Sequence, residues 1–164
     1  SIDEQEVLKA FKRADTGKKT LLAVTGHDFR NLANEINYFL NLIRTVSKKF
    51  PEVKFYFTDA VTGFQKTLEI KNIKKNCLKL NIKRFNKKSF KITTKQGAVF
   101  GPQPFLALKL KNNTYIHDNL DFGLKKNEWY YTLSEDTVSI KDVKIIAVGA
   151  ADIKGNFHTT QIKL

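Results

Sequence analysis

IIAVGAADIKGNFHTTQIKL, residues 145–164, has the pattern of two β-strands joined by a tight turn. The turn is DIKGN at 152–156, and apolar segments lie on both sides of it. Glycine and asparagine tolerate positive φ, and aspartate bonds to the backbone of its own turn. We therefore predict a β-hairpin in which Gly155 and Asn156 supply the positive φ angles.

Alternation of apolar and polar residues continues back to about residue 76. Leu78, Leu80 and Ile82 alternate with lysine and asparagine, and similar short runs recur at intervals of roughly 8–12 residues. This spacing is typical of a β-sandwich, so we predict one over 76–164, with most lysines on its outer faces. The predicted strands are 77–85, 89–95, 105–112, 114–118, 128–134, 137–140, 143–152 and 157–164.

The final hairpin also resembles that of bacterial immunoglobulin-like modules. In those modules an alanine-rich strand leads into Asp-x-x-Gly-Asn and a last strand, as at 145–164 here. The resemblance implies an immunoglobulin-like sandwich for 76–164. It implies nothing about function, because one fold supports many activities.

Residues 1–70 have a different, mixed pattern. Apolar residues at helical spacing alternate with short apolar runs of the kind buried on both faces of a parallel sheet. Asp28 or Asn31 is the expected N-cap of the longest helix. The predicted elements are helices at 3–14, 31–50 and 59–68, and strands at 20–25 and 53–58.

The order αβαβα implies two parallel strands, and two such strands do not make a stable sheet alone. We therefore predict that 1–70 is an incomplete α/β segment, completed by a missing N-terminal part or by another chain. The fold class predicted for the whole sequence is α+β.

Charge and composition narrow the function only partly. Lys and Arg number 29 against 16 Asp and Glu, a net charge of +13. This excess permits nucleic acid, a cell-wall polyanion or a lipid surface as partner, although lysines on solvated faces account for it more simply. Cys77 is the single cysteine, so neither an internal disulfide nor a cysteine zinc site is available. No apolar run approaches the roughly 20 residues of a membrane span.

The richest polar and aromatic segments are YIHDNLDF (115–122) and EWYYT (128–132). Here Trp129 or Tyr131 would stack on a sugar ring while Asp118, Asn119 and Asp121 bond its hydroxyls. In a variant of this interpretation, the same three residues hold a calcium ion through their side-chain oxygens, although the sequence lacks the complete spacing of a calcium-binding loop. The alternative, which we favour, makes Trp129 the core tryptophan of a sandwich and the acidic residues a loop cap.

Lysines and phenylalanines also mix at 71–95, as in a single-strand nucleic-acid binder. Period-two alternation turns Phe85 and Phe90 away from the lysines, so stacking and phosphate contacts would not converge. No helix-turn-helix, RNA-recognition or zinc-finger pattern is present, and nucleic acid is therefore an unfavoured partner.

His27 lies between the apolar run 20–25 and the longest helix. This places it at the carboxyl end of a predicted strand, the edge at which α/β proteins bind ligands. On its own, such a histidine is more often a loop residue beside an N-cap. However, LLAVTGHDF, the long helix and FPEVKFYFTDAVTGFQ together resemble the final segment of polysaccharide deacetylases (carbohydrate esterase family 4) over about 18–68. The resemblance implies a deformed β/α barrel in which His27 is the general acid of a metal-assisted N-deacetylation.

The other residues of that family's site are missing from this sequence. No Asp-Asp pair occurs, and His27, His117 and His158 are too far apart to form His-x-x-x-His. A zinc-hydroxide mechanism needs about three protein ligands. We therefore predict no metal site within this chain, with zinc or another divalent metal bound only by the complete enzyme.

The resulting functional prediction is the C-terminal portion of a bacterial polysaccharide deacetylase-like protein that is inactive by itself. Its sandwich would bind polysaccharide, cell-wall glycan or a partner protein, and the resemblance implies an extracytoplasmic location. The alternatives are a non-catalytic adhesion or interaction module with a basic surface and, less favoured, a nucleic-acid binder.

Overall fold

Amphipathic periodicity produces the three helices seen among the described residues of the first part of the chain. A computed structural model describes residues 3–27 and 29–164, and it divides into two compact units, Ser1–Ile70 and Lys71–Leu164. Unit 1 contains the helices and unit 2 contains two antiparallel sheets, so the fold is mixed α+β with a large β component. The helices are α1 (Glu4–Asp15), α2 (Ala33–Ser47) and α3 (Ala60–Thr67).

Side-chain caps fix where these helices begin. Asp3 accepts a hydrogen bond from the Glu6 amide at 3.0 Å, and Asp59 accepts one from the Thr62 amide at 2.9 Å. At α2 the N-cap position is Leu32, and Asn31 supplies the side-chain oxygen, which accepts from the Ala33 amide at 3.0 Å. The other predicted cap, Asp28, lies outside the described residues.

The core of unit 1 is small. Among the described residues of unit 1, four apolar side chains form a buried cluster, two from α1 and two from α2, and Phe39, Phe50 and Val53 pack around them. The buried four are Val7, Phe11, Ile43 and Val46.

The predicted parallel strands at 20–25 and 53–58 are not formed. Neither segment has regular hydrogen bonding in the described part of unit 1, although Leu22 and Val53 both reach the helical core. The physical reason is the one expected of an isolated pair: a parallel ladder needs further strands beside it. The prediction of two paired strands is therefore corrected for this chain by itself.

Unit 2, all of which is described, consists of two four-stranded antiparallel sheets. Their orders are β1-β2-β6-β5 and β4-β3-β7-β8. Inward residues from both sheets form one buried cluster, including Phe90, Leu108, Trp129 and Ile146, so the sheets pack face to face. The strands are β1 (Lys79–Arg84), β2 (Ser89–Gln96), β3 (Phe105–Leu110), β4 (Tyr115–Asp118), β5 (Asp121–Phe122), β6 (Glu128–Thr132), β7 (Val143–Ala151) and β8 (Phe157–Lys163).

The hairpin between β7 and β8 forms, with one correction to its turn. Gly155 has φ 82°, as predicted, whereas Asn156 is not among the described residues with positive φ. Asn156 acts through hydrogen bonds instead: its Nδ2 donates to the Asp152 carboxylate at 2.9 Å and to the Ile73 carbonyl at 2.7 Å. The turn thereby holds the segment that leads into β1.

Candidate functional site

His27 is exposed on the loop that leads from segment 20–25 to α2. Its ring stacks on Phe29, with centroids 5.6 Å apart and planes inclined by 27°. Over the described residues, no three His, Cys, Asp or Glu side chains lie close enough to hold a metal ion together. The described residues therefore do not supply the three ligands that the catalytic metal of a deacetylase needs, and His27 can still donate or accept a proton.

Trp129 and Tyr131 lie in the core of unit 2, where they are 3% and 5% exposed. The Trp129 indole N–H donates to the Pro102 carbonyl at 3.1 Å. An open hollow of about 420 Å³ lies beside Trp129, but a ring this deeply buried offers no free face. The predicted stacking of a sugar on either ring is therefore corrected, and the favoured alternative of a core tryptophan describes the structure.

The three predicted oxygen donors are exposed at the end of β4 and the start of β5. Asp118 accepts a hydrogen bond from the Tyr131 hydroxyl at 3.1 Å and another from the Asn119 amide at 2.7 Å. Asn119 in turn accepts from Gln103 at 3.2 Å, and Asp121 pairs across the sheet with Tyr130. Asp118 and Asn119 thus brace the loop through their own hydrogen bonds.

Burial has a second consequence at Tyr131. Removal of the hydroxyl from water, the adjacent negative charge of Asp118 and the hydrogen bond to it all raise the pKa of Tyr131. The hydroxyl is therefore a fixed donor to Asp118 at neutral pH.

In the basic segment 71–95, one of the two phenylalanine rings lies on the side of the sheet that was predicted and the other does not. Phe90 is fully buried beneath the sheet, as expected. Phe85 is 63% exposed and packs edge-on against Tyr130, whose cross-strand partner is Lys91. Phe85 therefore lies on the lysine-bearing side. There Lys91 bonds Glu128 at 2.6 Å, which lowers the pKa of Glu128 and neutralises the nearby positive charge.

An exposed apolar surface that the sequence did not predict lies on the outer side of sheet β4-β3-β7-β8. Cross-strand register aligns Phe105 with Gly149 and Thr159, and it aligns His117 with Ala107, Ala147 and Gln161. The Phe105 and His117 rings are 5.9 Å apart. We call this surface the aromatic face; its members are Phe105, Ala107, Lys109, Tyr115, His117, Ile145, Ala147, Gly149, Phe157, Thr159, Gln161 and Lys163.

Small residues form the floor of the aromatic face. A Cβ atom placed on Gly149 would lie 3.1 Å from the Phe157 ring, which means that this ring rests on the glycine backbone. The sequence carries one sign of this surface: residues at outward positions of three strands are aromatic, at 105, 115 and 157. These aromatics belong to three different strands, and the strand order was needed to bring them together.

The chain has no match among protein-family models, curated proteins or solved structures. None of the helices in its described part is long and apolar enough to cross a membrane.

Proposed function

We propose that this chain is the C-terminal portion of a bacterial polysaccharide deacetylase-like protein that acts outside the cytoplasm. In this proposal unit 1 supplies the last two β/α units of a deformed barrel, catalytically incomplete alone. Segments 20–25 and 53–58 become parallel strands when their neighbours are present. Unit 2 is an immunoglobulin-like sandwich that binds polysaccharide or a partner protein.

The supporting observation is the exposure of consecutive apolar side chains in segment 53–58. Phe55, Tyr56 and Phe57 are all exposed, and so is Val24 on the other segment. Successive residues of an extended segment point to opposite sides, so a run of aromatics is apolar on both faces. That pattern is typical of a parallel strand covered by helices and flanked by further strands. Contiguous apolar surface of this kind marks an interaction site.

His27 has a defined role in this proposal. It follows the first of the two segments on the loop toward α2, and in the complete protein it would protonate the leaving amine. The metal ligands and the general base would come from the missing part, because this sequence contains neither Asp-Asp nor His-x-x-x-His. Zinc or another divalent metal would there activate the attacking water.

The first test is acetate release from an acetylated amino-sugar polymer in the presence of zinc. The present chain is expected to release none. A longer protein that includes the coding sequence upstream of Ser1 is expected to be active, and its His27→Gln variant is expected to lose about 10²-fold or more in kcat. Glu52→Gln, an exposed change elsewhere in unit 1, serves as the control and keeps full activity.

Each result has a distinct meaning. Zinc-dependent acetate release by the present chain would contradict its catalytic incompleteness. An upstream sequence without an Asp-Asp strand and His-x-x-x-His would remove the deacetylase assignment. Full activity of the His27→Gln variant would remove the general-acid role alone.

A second candidate is a non-catalytic interaction module whose basic surface meets an acidic polymer. The net charge of +13 favours it. Salt separates nucleic acid from a neutral glycan as the partner: binding to single-stranded DNA falls steeply between 50 and about 200 mM salt, because phosphate contacts release counterions. Sugar stacking changes little over the same range.

A further inference from the structure

We propose that the aromatic face of unit 2 binds an acidic polysaccharide, with Phe105, Tyr115 and Phe157 stacking on sugar rings and Lys109 and Lys163 pairing with the anionic groups. This inference deepens the proposed function and rests on its statement that unit 2 binds polysaccharide. It does not depend on the deacetylase assignment.

The rings are positioned as stacking surfaces. Phe157 has one side against the Gly149 backbone and is still 70% exposed, so its other side faces solvent. Phe105 and Tyr115 are 63% and 70% exposed on β3 and β4 of the same sheet. The C–H groups of a sugar ring carry partial positive charge, and they are attracted to the negative face of an aromatic ring.

The face is also pre-formed. Its floor of Ala107, Ala147 and Gly149 belongs to two paired central strands, so the aromatic rings stand above small residues, and the His117 ring lies beside Phe105 with centroids 5.9 Å apart. Phe105 and Lys109 are four residues apart on β3, about 13 Å at the rise of an extended strand. That length accommodates several consecutive sugar rings of an extended polymer.

Charge selects the acidic class of polysaccharide. Lys109 and Lys163 lie in one cross-strand row on either side of Ile145, and Tyr115 is next to Lys109 in the same row. The Lys109 ammonium is 5.2 Å from the centroid of the Tyr115 ring. No carboxylate belongs to the face as defined by its described residues, whereas the lysine side of the other sheet carries Glu128 bonded to Lys91. Neither Lys109 nor Lys163 forms one of the ion pairs of the described residues, so both lysines can pair with a uronate or sulfate group.

The test measures binding of hexagalacturonate to the full chain by calorimetry, with a neutral hexasaccharide of glucose as comparison. We expect binding of the acidic oligomer, weakened by added salt, and tighter than that of the neutral one. Phe105→Ala and Phe157→Ala should each weaken it about tenfold. Lys163→Gln should weaken it several-fold at 50 mM salt and have almost no effect at about 500 mM.

The other sheet provides matched controls. Phe85 is exposed to the same 63% as Phe105, and Lys83 is an exposed lysine on β1. Phe85→Ala and Lys83→Gln are expected to leave the dissociation constant unchanged. Circular dichroism of every variant checks that the fold is retained, which is expected because the altered side chains are exposed.

The outcomes separate this inference from the proposed function. If no polysaccharide binds, the binding role of unit 2 fails together with this inference. If polysaccharide binds but Phe105→Ala and Phe85→Ala behave alike, the aromatic face is overturned and the proposed function stands. Tighter binding of single-stranded DNA that the same variants abolish would overturn the choice of polysaccharide. Dimerisation abolished by Phe105→Ala would make the face a contact between copies.

Discussion

Asp152 is the residue on which the β7–β8 turn depends. Its buried carboxylate accepts hydrogen bonds from the Lys154 and Asn156 amides, each at 2.9 Å, as well as from the Asn156 side chain. Burial opposes the ionised form, but these hydrogen bonds outweigh it, and the pKa of Asp152 is lowered. The charged form is therefore bound more tightly in the folded state than in the unfolded one.

The sign of the pH effect follows from that lowered pKa. The stabilisation is complete when the pH is above the pKa of Asp152 in the unfolded chain, about 3.9. It is lost as the pH falls below that value toward the lower pKa of the folded protein. Asp152→Asn is expected to lower the free energy of unfolding by about 1–2 kcal/mol at pH 7 and by much less near pH 3. Urea unfolding at the two pH values measures this, with exposed Asp121→Asn as control. An equal loss at both pH values would contradict the assignment.

Tyr131 gives a prediction at the alkaline end. Because its pKa is raised, the stabilisation by its protonated hydroxyl is present below the ordinary value of about 10 and is lost as the pH rises above it. In an absorbance titration near 295 nm, we expect the Tyr131 signal to appear only with alkaline unfolding. Tyr131→Phe should leave the reversible part of the titration unchanged; a smaller reversible step would show that Tyr131 ionises in the folded protein.

At the scale of elements, local pattern predicted most of unit 2 because each strand has one buried and one solvated face. Seven of the predicted strands have counterparts in the structure, while 137–140 forms a turn in which the Thr137 and Val138 amides bond to the Ser134 carbonyl. The short strand β5 was not predicted, since two residues carry no periodicity. The aromatic face was missed because alternation gives the side of a strand but not its neighbours.

In unit 1 the helices were predicted to within a few residues, since their stripes and caps are local. The strands at 20–25 and 53–58 were not formed because strand pairing is non-local. An apolar run indicates that a segment prefers burial. Whether that segment forms a strand ladder depends on the strands available beside it. The same limit applies to His27, whose chemistry depends on ligands that are distant in sequence.

Gly97 offers a test of how β2 ends beside the start of β1. It has φ 70°, and a Cβ atom there would lie 3.0 Å from both the Asn76 carbonyl oxygen and the Leu78 Cα. Gly97→Ala therefore adds a backbone clash to the strain of a left-handed conformation, and should cost about 2–3 kcal/mol. Fluorescence of Trp129, the single tryptophan, reports unfolding of unit 2.

Gly17 is the matched control for that substitution. It has a similar φ of 78°, and a Cβ atom there would meet nothing within 4 Å. Gly17→Ala should cost unit 1 only about 1 kcal/mol, the conformational part of the penalty, as followed by helical circular dichroism. Equal losses in the two variants would mean that the Asn76–Leu78 segment moves aside.

At the scale of the whole molecule, the two units differ in how much apolar surface they bury. Fifteen residues form the buried cluster of unit 2, compared with four among the described residues of unit 1. Unit 1 also exposes Phe55, Tyr56 and Phe57, whose burial would add stability in proportion to the area removed from water. The free energy of unfolding should therefore be clearly lower for unit 1 than for unit 2.

Hydrogen exchange measures this difference directly, because the protection of a core amide reflects the free energy of unfolding of the unit to which it belongs. We expect amides of β2, β3 and β7 to exchange slowly in the present chain, α1 and α2 faster, and segments 20–25 and 53–58 fastest of all, since they have no ladder bonds among the described residues. If the two segments lie within a larger sheet in a longer protein, their protection there should rise to that of β3. Slow exchange of both segments in the present chain, at a sedimentation coefficient that shows a monomer, would mean that unit 1 is self-sufficient and would remove the support for an incomplete barrel.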